Sequence, residues 1–387
     1  SKPYFGHELS LSLFDIIPKH IYGVGDYNTN PAARAPVGTG PYKFEKWITG
    51  QQVSLVRNEN YWNRDVEPPY LDKWIFRFIS DDNAALQVLL RHEADIMDFN
   101  GEMWNLHASK PSFEAEFHKF TPDSPIPGYL SRYNYIGWNM RKPQFQDKRV
   151  RQALCMLFDR QLIIDEVWGG LGTIITGPEY HKIPEYNADV EPWPFDPERA
   201  KELLTEAGWV DNDRDGIREK DGVKFEFELG FASSVPEYDQ LSTVYQEELK
   251  RAGIAMKPNP LEWATFQERV HKRTFDACML AWLTSLSTDP YQLWHSSQAE
   301  SGSNYPGLKN AEVDQILDDA RLEFDRDKRI EMYHRFHEII HEEQPYIFLY
   351  ARPGLIAADD RVHGAKVYPS GIDPGEWWVP KAQQMYP

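Results

Sequence analysis

Lys224-Phe225-Glu226-Phe227-Glu228-Leu229, then Tyr238 through Ala252, Ile254 through Lys257, Trp263 through His271 and Phe275 through Trp282 follow one another with short breaks. The first, third and fifth segments are too short for helices and read as strands, while the second and fourth read as helices. Gly253 closes the longer helix by supplying a left-handed exit. Strand alternating with helix is the signature of an α/β fold. The pattern extends upstream. Asp196 caps a helix that enters through Pro197 and leaves at Ala207-Gly208, the usual order of cap, first-turn proline and terminal glycine. Before it, a helical stretch opens near Asp147, carries Val150, Ala153, Leu154 and Leu157 at helical spacing, and stops at Gly169-Gly170. Strands at Val53–Val56 and Trp74–Phe78, a helix capped by Ser80 or Asp81 and running through Leu90, and a strand at Asp95–Asp98 read as a β-α-β unit. Downstream, helices are expected over Asn310–Phe324 and Asp327–Glu343, and a strand over Tyr346–Tyr350.

Composition narrows the function. The chain has 387 residues, and 42 Lys and Arg against 60 Asp and Glu give a formal net charge of −18. Neutralising phosphates requires a basic face, so nucleic acid is excluded as a partner, and an anionic membrane surface is disfavoured for the same reason. The longest apolar stretch, Ala277–Leu283, is far short of the ~18–20 residues that span a bilayer. Rings are abundant, with 13 Trp, 20 Tyr and 20 Phe. Most must fill cores, but this many also suits a site for partly apolar ligands. Cys155 and Cys278 lie far apart in sequence and are expected to be buried thiols.

Three motifs invite chemical readings. His337-Glu338-Ile339-Ile340-His341 matches H-E-x-x-H, two histidines one helical turn apart with a glutamate as base. On a helical wheel both histidines fall at the margin of the apolar face, on the side of Glu338, so the pair is expected to face water. Asp211-Asn212-Asp213-Arg214-Asp215-Gly216 copies half a calcium loop, but Gly222 stands where a bidentate glutamate is required, and a hairpin turn explains the stretch. Gly38-Thr39-Gly40 is followed by Pro41 and a strand, so no helix N-terminus is available to cradle phosphate. No residue set for catalysis, a metal or a cofactor emerges.

A resemblance then becomes visible. Val37-Gly38-Thr39-Gly40-Pro41-Tyr42-Lys43-Phe44, Val56-Arg57-Asn58 with Tyr61-Trp62, the run Pro143 through Leu154, Ala200-Lys201 to Ala207-Gly208, and the Pro345 to Tyr350 run resemble, in order, the extracytoplasmic oligopeptide- and dipeptide-binding proteins of ABC importers (solute-binding family 5). The resemblance implies a two-lobed α/β fold of the periplasmic-binding-protein kind (type II, large oligopeptide-binding class). Residues 1–133 and 351–387 would form one lobe and 134–350 the other. It implies a non-enzymatic binding subunit that captures a peptide-like ligand by hinge closure and delivers it to the permease. Such a protein is monomeric, periplasmic or otherwise extracytoplasmic, and lipid-anchored in some members. Ser1–Leu13 resembles a mid-protein stretch of relatives, which implies a chain truncated at the N-terminus.

The same resemblance places ligand contacts at Trp263, Trp282, Ser285 and Tyr350, with Asn100 and Trp104 on the opposite wall. Trp74, Trp138 and Trp209 are expected to pack structurally. Peptide-binding relatives carry an aspartate three residues after the strand-end tryptophan. That position here is Ser285, while Asp289 before Pro290 matches another acidic position. A hydroxyl cannot replace the charge-assisted bond of a carboxylate to an ammonium group, so a non-peptide solute, an oligosaccharide or a chelate, stays open beside peptides. A zinc-dependent peptidase on His337 and His341 is the enzymatic alternative.

Overall fold

The computed structural model describes residues 17–26, 29–63, 65, 69–120, 132–283, 289–352, 354–365, 367–368, 371–372 and 374–385. It separates into a first unit centred on Leu130–Arg352 and a second centred on Ser10–Tyr129 together with Pro353–Pro387.

The second unit contains strands β1 (Tyr42–Ile48), β2 (Gln52–Arg57) and β3 (Lys73–Arg77) in one antiparallel sheet, and β4 (Ile96–Asp98) and β5 (Phe117–Phe120) in another. Asp81 caps the Asp82–Leu90 helix by accepting from the Ala84 amide. The expected β-α-β unit is not formed, because β3 pairs only with β2 and β4 pairs with a strand from the far end of the chain. The capped helix and both strands are where the sequence puts them, but their hydrogen-bond partners are set by non-local chain return. Alternate positions on β3 give Trp74 and Phe76 one face. Trp74 packs at 5.4 Å on Trp377, while Phe76 stays 51% exposed.

The first unit is built on a six-stranded mixed sheet. Its strands are β6 (Arg132–Trp138), β7 (Thr173–Ile174), β10 (Glu226–Ala232), β11 (Ala255–Leu261), β12 (Ala277–Leu283) and β13 (Tyr346–Ala351), in the spatial order β11-β10-β12-β6-β13-β7. The small hairpin β8 (Glu219–Lys220) and β9 (Val223–Lys224) stands outside it. β10 runs parallel to β11 and β12, whereas β6 is antiparallel to both its neighbours, β12 and β13. The chain then returns to the second unit as β14 (Ile356–Asp359), which lies between β4 and β5.

Side chains alternate across the sheet. Ile136, Trp138, Ile347 and Leu349 join the core built with helices Lys148–Met156, Arg160–Trp168, Pro197–Glu206 and Pro236–Arg251. Tyr133, Tyr135, Tyr346 and Phe348 join the opposite core, with helices Ala311–Ala320 and Arg326–Glu343. The stretch expected as one helix from Asp147 is two helices, broken at Leu157–Asp159. Asp159 accepts from the Leu162 amide and so starts the second, which ends at left-handed Gly169. Asp196 caps its helix through the Arg199 amide, as expected, and Gly208 has φ of 87°. Trp138 and Trp209 are buried. Both cysteines are free and buried in separate cores, and burial pushes the Cys278 thiol up to about 12. No helix among the described residues is long and apolar enough to cross a membrane.

Candidate functional site

β12 carries the rings of interest toward its end. In its register with β6, Leu280 faces Tyr135 and Trp282 faces Tyr133, so all four point to one side of the sheet. The Trp282 ring lies nearly parallel to two tyrosines, Tyr135 at 6.4 Å and 7° and Tyr305 at 5.9 Å and 11°. Tyr135 in turn stacks on Tyr346 at 3.9 Å. The Trp282 indole N–H donates to the Tyr346 hydroxyl at 3.4 Å. Trp282 therefore has fixed neighbours but remains half-buried, and Leu283 beside it is 62% exposed.

Trp263 is the first residue of the Trp263–His271 helix, whose N-terminus is capped by the Glu262 carboxylate accepting from Ala264 and Thr265. Its ring is 46% exposed and meets Phe266 at 6.0 Å. Phe266 is itself buried in a small cluster with Ala232, Val270, Phe275, Cys278 and Tyr305, and Trp282 packs against that cluster. Trp282 thus borders this apolar cluster of the first unit directly, and Trp263 borders it through Phe266. An open aromatic face beside a rigid ring ladder can bind partly apolar ligands without chemistry. Phe266 and Tyr305 were absent from the sequence-based set. The only signal for Tyr305 was its place in a Pro306-Gly307 turn, which says nothing about where its ring points.

The remaining expected contacts are placed differently. Tyr350 is 0% exposed and packs on Trp168 at 5.8 Å. The register shift between Phe348 and Tyr350 turns it away from the face shared by Tyr346 and Phe348 and into the helix-covered core. Tyr350, expected from the resemblance as a ligand contact, is here a member of that core. Ser285 lies outside the described residues. Asp289, just beyond, is held by Arg321 at 3.0 and 2.8 Å, and Arg321 lies 3.7 Å over the Tyr291 ring.

Asn100 and Trp104 belong to the second unit. Asn100 caps the Gly101–His107 helix by accepting from the Met103 amide at 2.9 Å, and its amide donates to Asp82 at 2.7 Å. Trp104 is 8% exposed, with its edge on Phe99. Both side chains have structural work within their own unit.

The H-E-x-x-H pair does not face water. His337 is fully buried, with Nδ1 accepting from the Asn187 amide at 3.1 Å and Nε2 bonded to Thr176 Oγ1 at 2.9 Å. Burial pulls its pKa down to about 3. His341 stacks on Trp193 at 5.4 Å, and burial holds it at about 4. Both nitrogens of His337 are used by the chain, so no zinc centre is available there. At the Asp-rich turn, Asp211, Asp213 and Asp215 bring oxygens within 4.8 Å of one another. Lys224 contacts Asp215 and lies 3.8 Å from Asp213, and each of the three carboxylates accepts a backbone amide of the loop. These are the contacts of a self-satisfied turn.

Comparison with known proteins identifies the family. The model of the bacterial extracellular solute-binding proteins, family 5, matches residues 1–304. The chain belongs to that family. It is 35% identical over 376 residues to the oligopeptide-binding protein AppA of Bacillus subtilis, covering 95% of this chain and 67% of AppA. It is 26% identical over 346 residues to heme-binding protein A of Haemophilus influenzae, covering 87% of this chain and 58% of that protein. The solved structure of B. subtilis AppA in complex with a nonapeptide superposes with a TM-score of 0.84 at 32% identity, covering 97% of this chain and 74% of that one. This chain therefore spans roughly three-fifths to two-thirds of these two curated relatives' length. The α/β fold expected of a family 5 member is the fold observed.

Proposed function

We propose that this family 5 chain is the extracytoplasmic solute-binding subunit of an ABC importer and captures a peptide-like ligand on the patch formed by Trp263 and Trp282. The observation that carries the reading is Trp263, 46% exposed on a capped helix and in ring contact with Phe266 of the buried cluster against which Trp282 packs. Large rings exposed beside a rigid apolar support are costly to keep in water unless something covers them part of the time. B. subtilis AppA, a relative with a nonapeptide complex, supports peptides as the ligand class. Nothing in this role makes or breaks a bond. Capture shifts a two-state equilibrium that the permease reads. The protein acts as a monomer, and the stacking geometry leaves peptide sequence tolerance wide, because any apolar side chain can lie on an indole face.

The test is calorimetric titration and thermal unfolding with a mixed nonapeptide pool, followed by the tightest single peptide from it. A peptide at one hundred times its dissociation constant should stabilise the folded chain by about 2.7 kcal/mol. Trp263→Ala and Trp282→Ala should each weaken binding by roughly tenfold, the upper end of what an aromatic contact contributes. Absence of stabilisation by any peptide at millimolar concentration overturns the reading, as does unchanged affinity in both variants.

A further inference from the structure

We infer that Tyr305 and Arg273, which the sequence reading did not single out, are positioning residues that fix the Trp282 ring for ligand. The inference rests on the proposal that Trp282 is part of the binding patch.

Trp282 sits near the end of β12, where strand hydrogen bonds alone leave side-chain torsions free. Rotation is limited on one side by Tyr135, which is held by its stack on Tyr346 inside the core. The other parallel neighbour, Tyr305, comes from a loop and needs a support of its own. That support is two arginines. Arg141 donates to the Tyr305 carbonyl at 3.2 Å and to the Ala299 carbonyl at 2.7 Å. Arg273 donates to the carbonyls of Ala299, His271 and Gly302, and its guanidinium lies 5.2 Å over the Tyr305 ring.

Gly307, with φ of 77°, leaves room for Arg141, since a Cβ there would come within 2.5 Å of its guanidinium. Arg273 itself has φ of 57°, a conformation that L residues with a Cβ rarely adopt and that surrounding contacts must hold. Five planar groups, Tyr346, Tyr135, Trp282, Tyr305 and Arg273, thus run in series from the buried sheet to the loop, and of the four rings only Trp282 is left partly open. A ring held this way loses little rotamer freedom when a ligand covers it, which is the general advantage of preorganisation.

The chain therefore divides the labour. Trp282 touches the ligand, and Tyr305 and Arg273 act through it.

The experiment uses the full chain and the tightest nonapeptide from the pool. Tyr305→Ala should weaken peptide binding by roughly threefold to tenfold, and Tyr305→Phe, which keeps the ring, should restore it. Arg273→Ala should weaken binding in the same direction, with Arg273→Lys rescuing less than half, since an ammonium cannot make the planar contacts of a guanidinium. In a Trp282→Ala background, Tyr305→Ala should have no further effect on affinity. A merely structural role would lower the melting temperature without this background dependence. Acrylamide quenching of the Trp282 component, isolated by difference with Trp282→Phe, reads the ring in the absence of ligand and should rise in Tyr305→Ala. Unchanged quenching together with unchanged affinity in Tyr305→Ala overturns the inference. Unchanged affinity in Trp282→Ala removes Trp282 from the binding patch instead, and in that case the quenching result alone decides whether Tyr305 positions the ring.

Discussion

Arg151→Ala is expected to destabilise the first unit by about 3–5 kcal/mol, the cost of removing one partner from a buried ion pair. Arg151 is 1% exposed and makes four hydrogen bonds. Nε donates to the Glu343 carbonyl at 2.7 Å, one terminal nitrogen to the Glu343 carboxylate at 2.9 Å, and the other to the carbonyls of Phe145 and Gln146, both at 2.8 Å. It ties the Lys148–Met156 helix to the end of the Arg326–Glu343 helix and to the turn before it. Burial pulls the guanidinium down to about 10, against the opposing pull of Glu343, so the site tolerates the charge only because every bond is made. Removal leaves three carbonyls and a carboxylate short of a donor. Glu343→Gln, which keeps an acceptor oxygen and the backbone bonds, should cost far less, about 1 kcal/mol. Urea unfolding followed by near-ultraviolet circular dichroism measures both. A loss under 1 kcal/mol for Arg151→Ala would show that the cluster is not a structural clamp.

Acidification is the second large effect, and it arises from the buried histidines of the H-E-x-x-H stretch. His337 falls to about 3 in the folded chain from the ordinary 6.5. The unfolded chain therefore binds a proton that the folded chain refuses. Stability from this group is complete above pH 6.5 and is lost progressively as the pH falls from 6.5 toward 3. At pH 5 the loss is about 2 kcal/mol from His337 alone. His341 and His181, each held at about 4 by burial, act with the same sign. The unfolding free energy should drop steeply between pH 7 and pH 5, and the His337 ring proton resonances should fail to titrate above pH 4. A full titration of His337 near pH 6.5 in the folded protein would refute the buried assignment. His337→Asn should flatten the acid slope by about one proton.

What the sequence revealed and what it hid divides along the range of the interactions involved. The Trp263–His271 helix, the Asp196 cap and the strand at Tyr346 were legible because cap residues, prolines and apolar spacing act within a few residues. The pairing of β4 with β14 was not, since its partner lies some 260 residues downstream. The face of Tyr350 was not legible either, since one irregularity in β13 reverses the face of every side chain after it. The wheel turned His337 toward water, because a wheel has no knowledge of Thr176 and Asn187, which the structure bonds to its ring. Trp263 and Trp282 came from the resemblance, and the cluster that Trp282 borders directly and Trp263 through Phe266 came from the structure. Tyr305 needed the coordinates, because the contact that orients it is made by an arginine at a left-handed position.

β6 lies in the middle of the main sheet, yet its flanking strands are encoded far away, with Trp138 facing Ala277 and Gly137 facing Tyr346. A chain still emerging from the ribosome therefore has no lateral partner for that strand until some 140 residues after it, and has only one until some 210 residues after it. Long loop closures of this kind slow folding, and an apolar strand waiting without neighbours invites pairing between molecules. Folding of the main sheet must therefore wait, with β6 open or shielded, until β13 arrives.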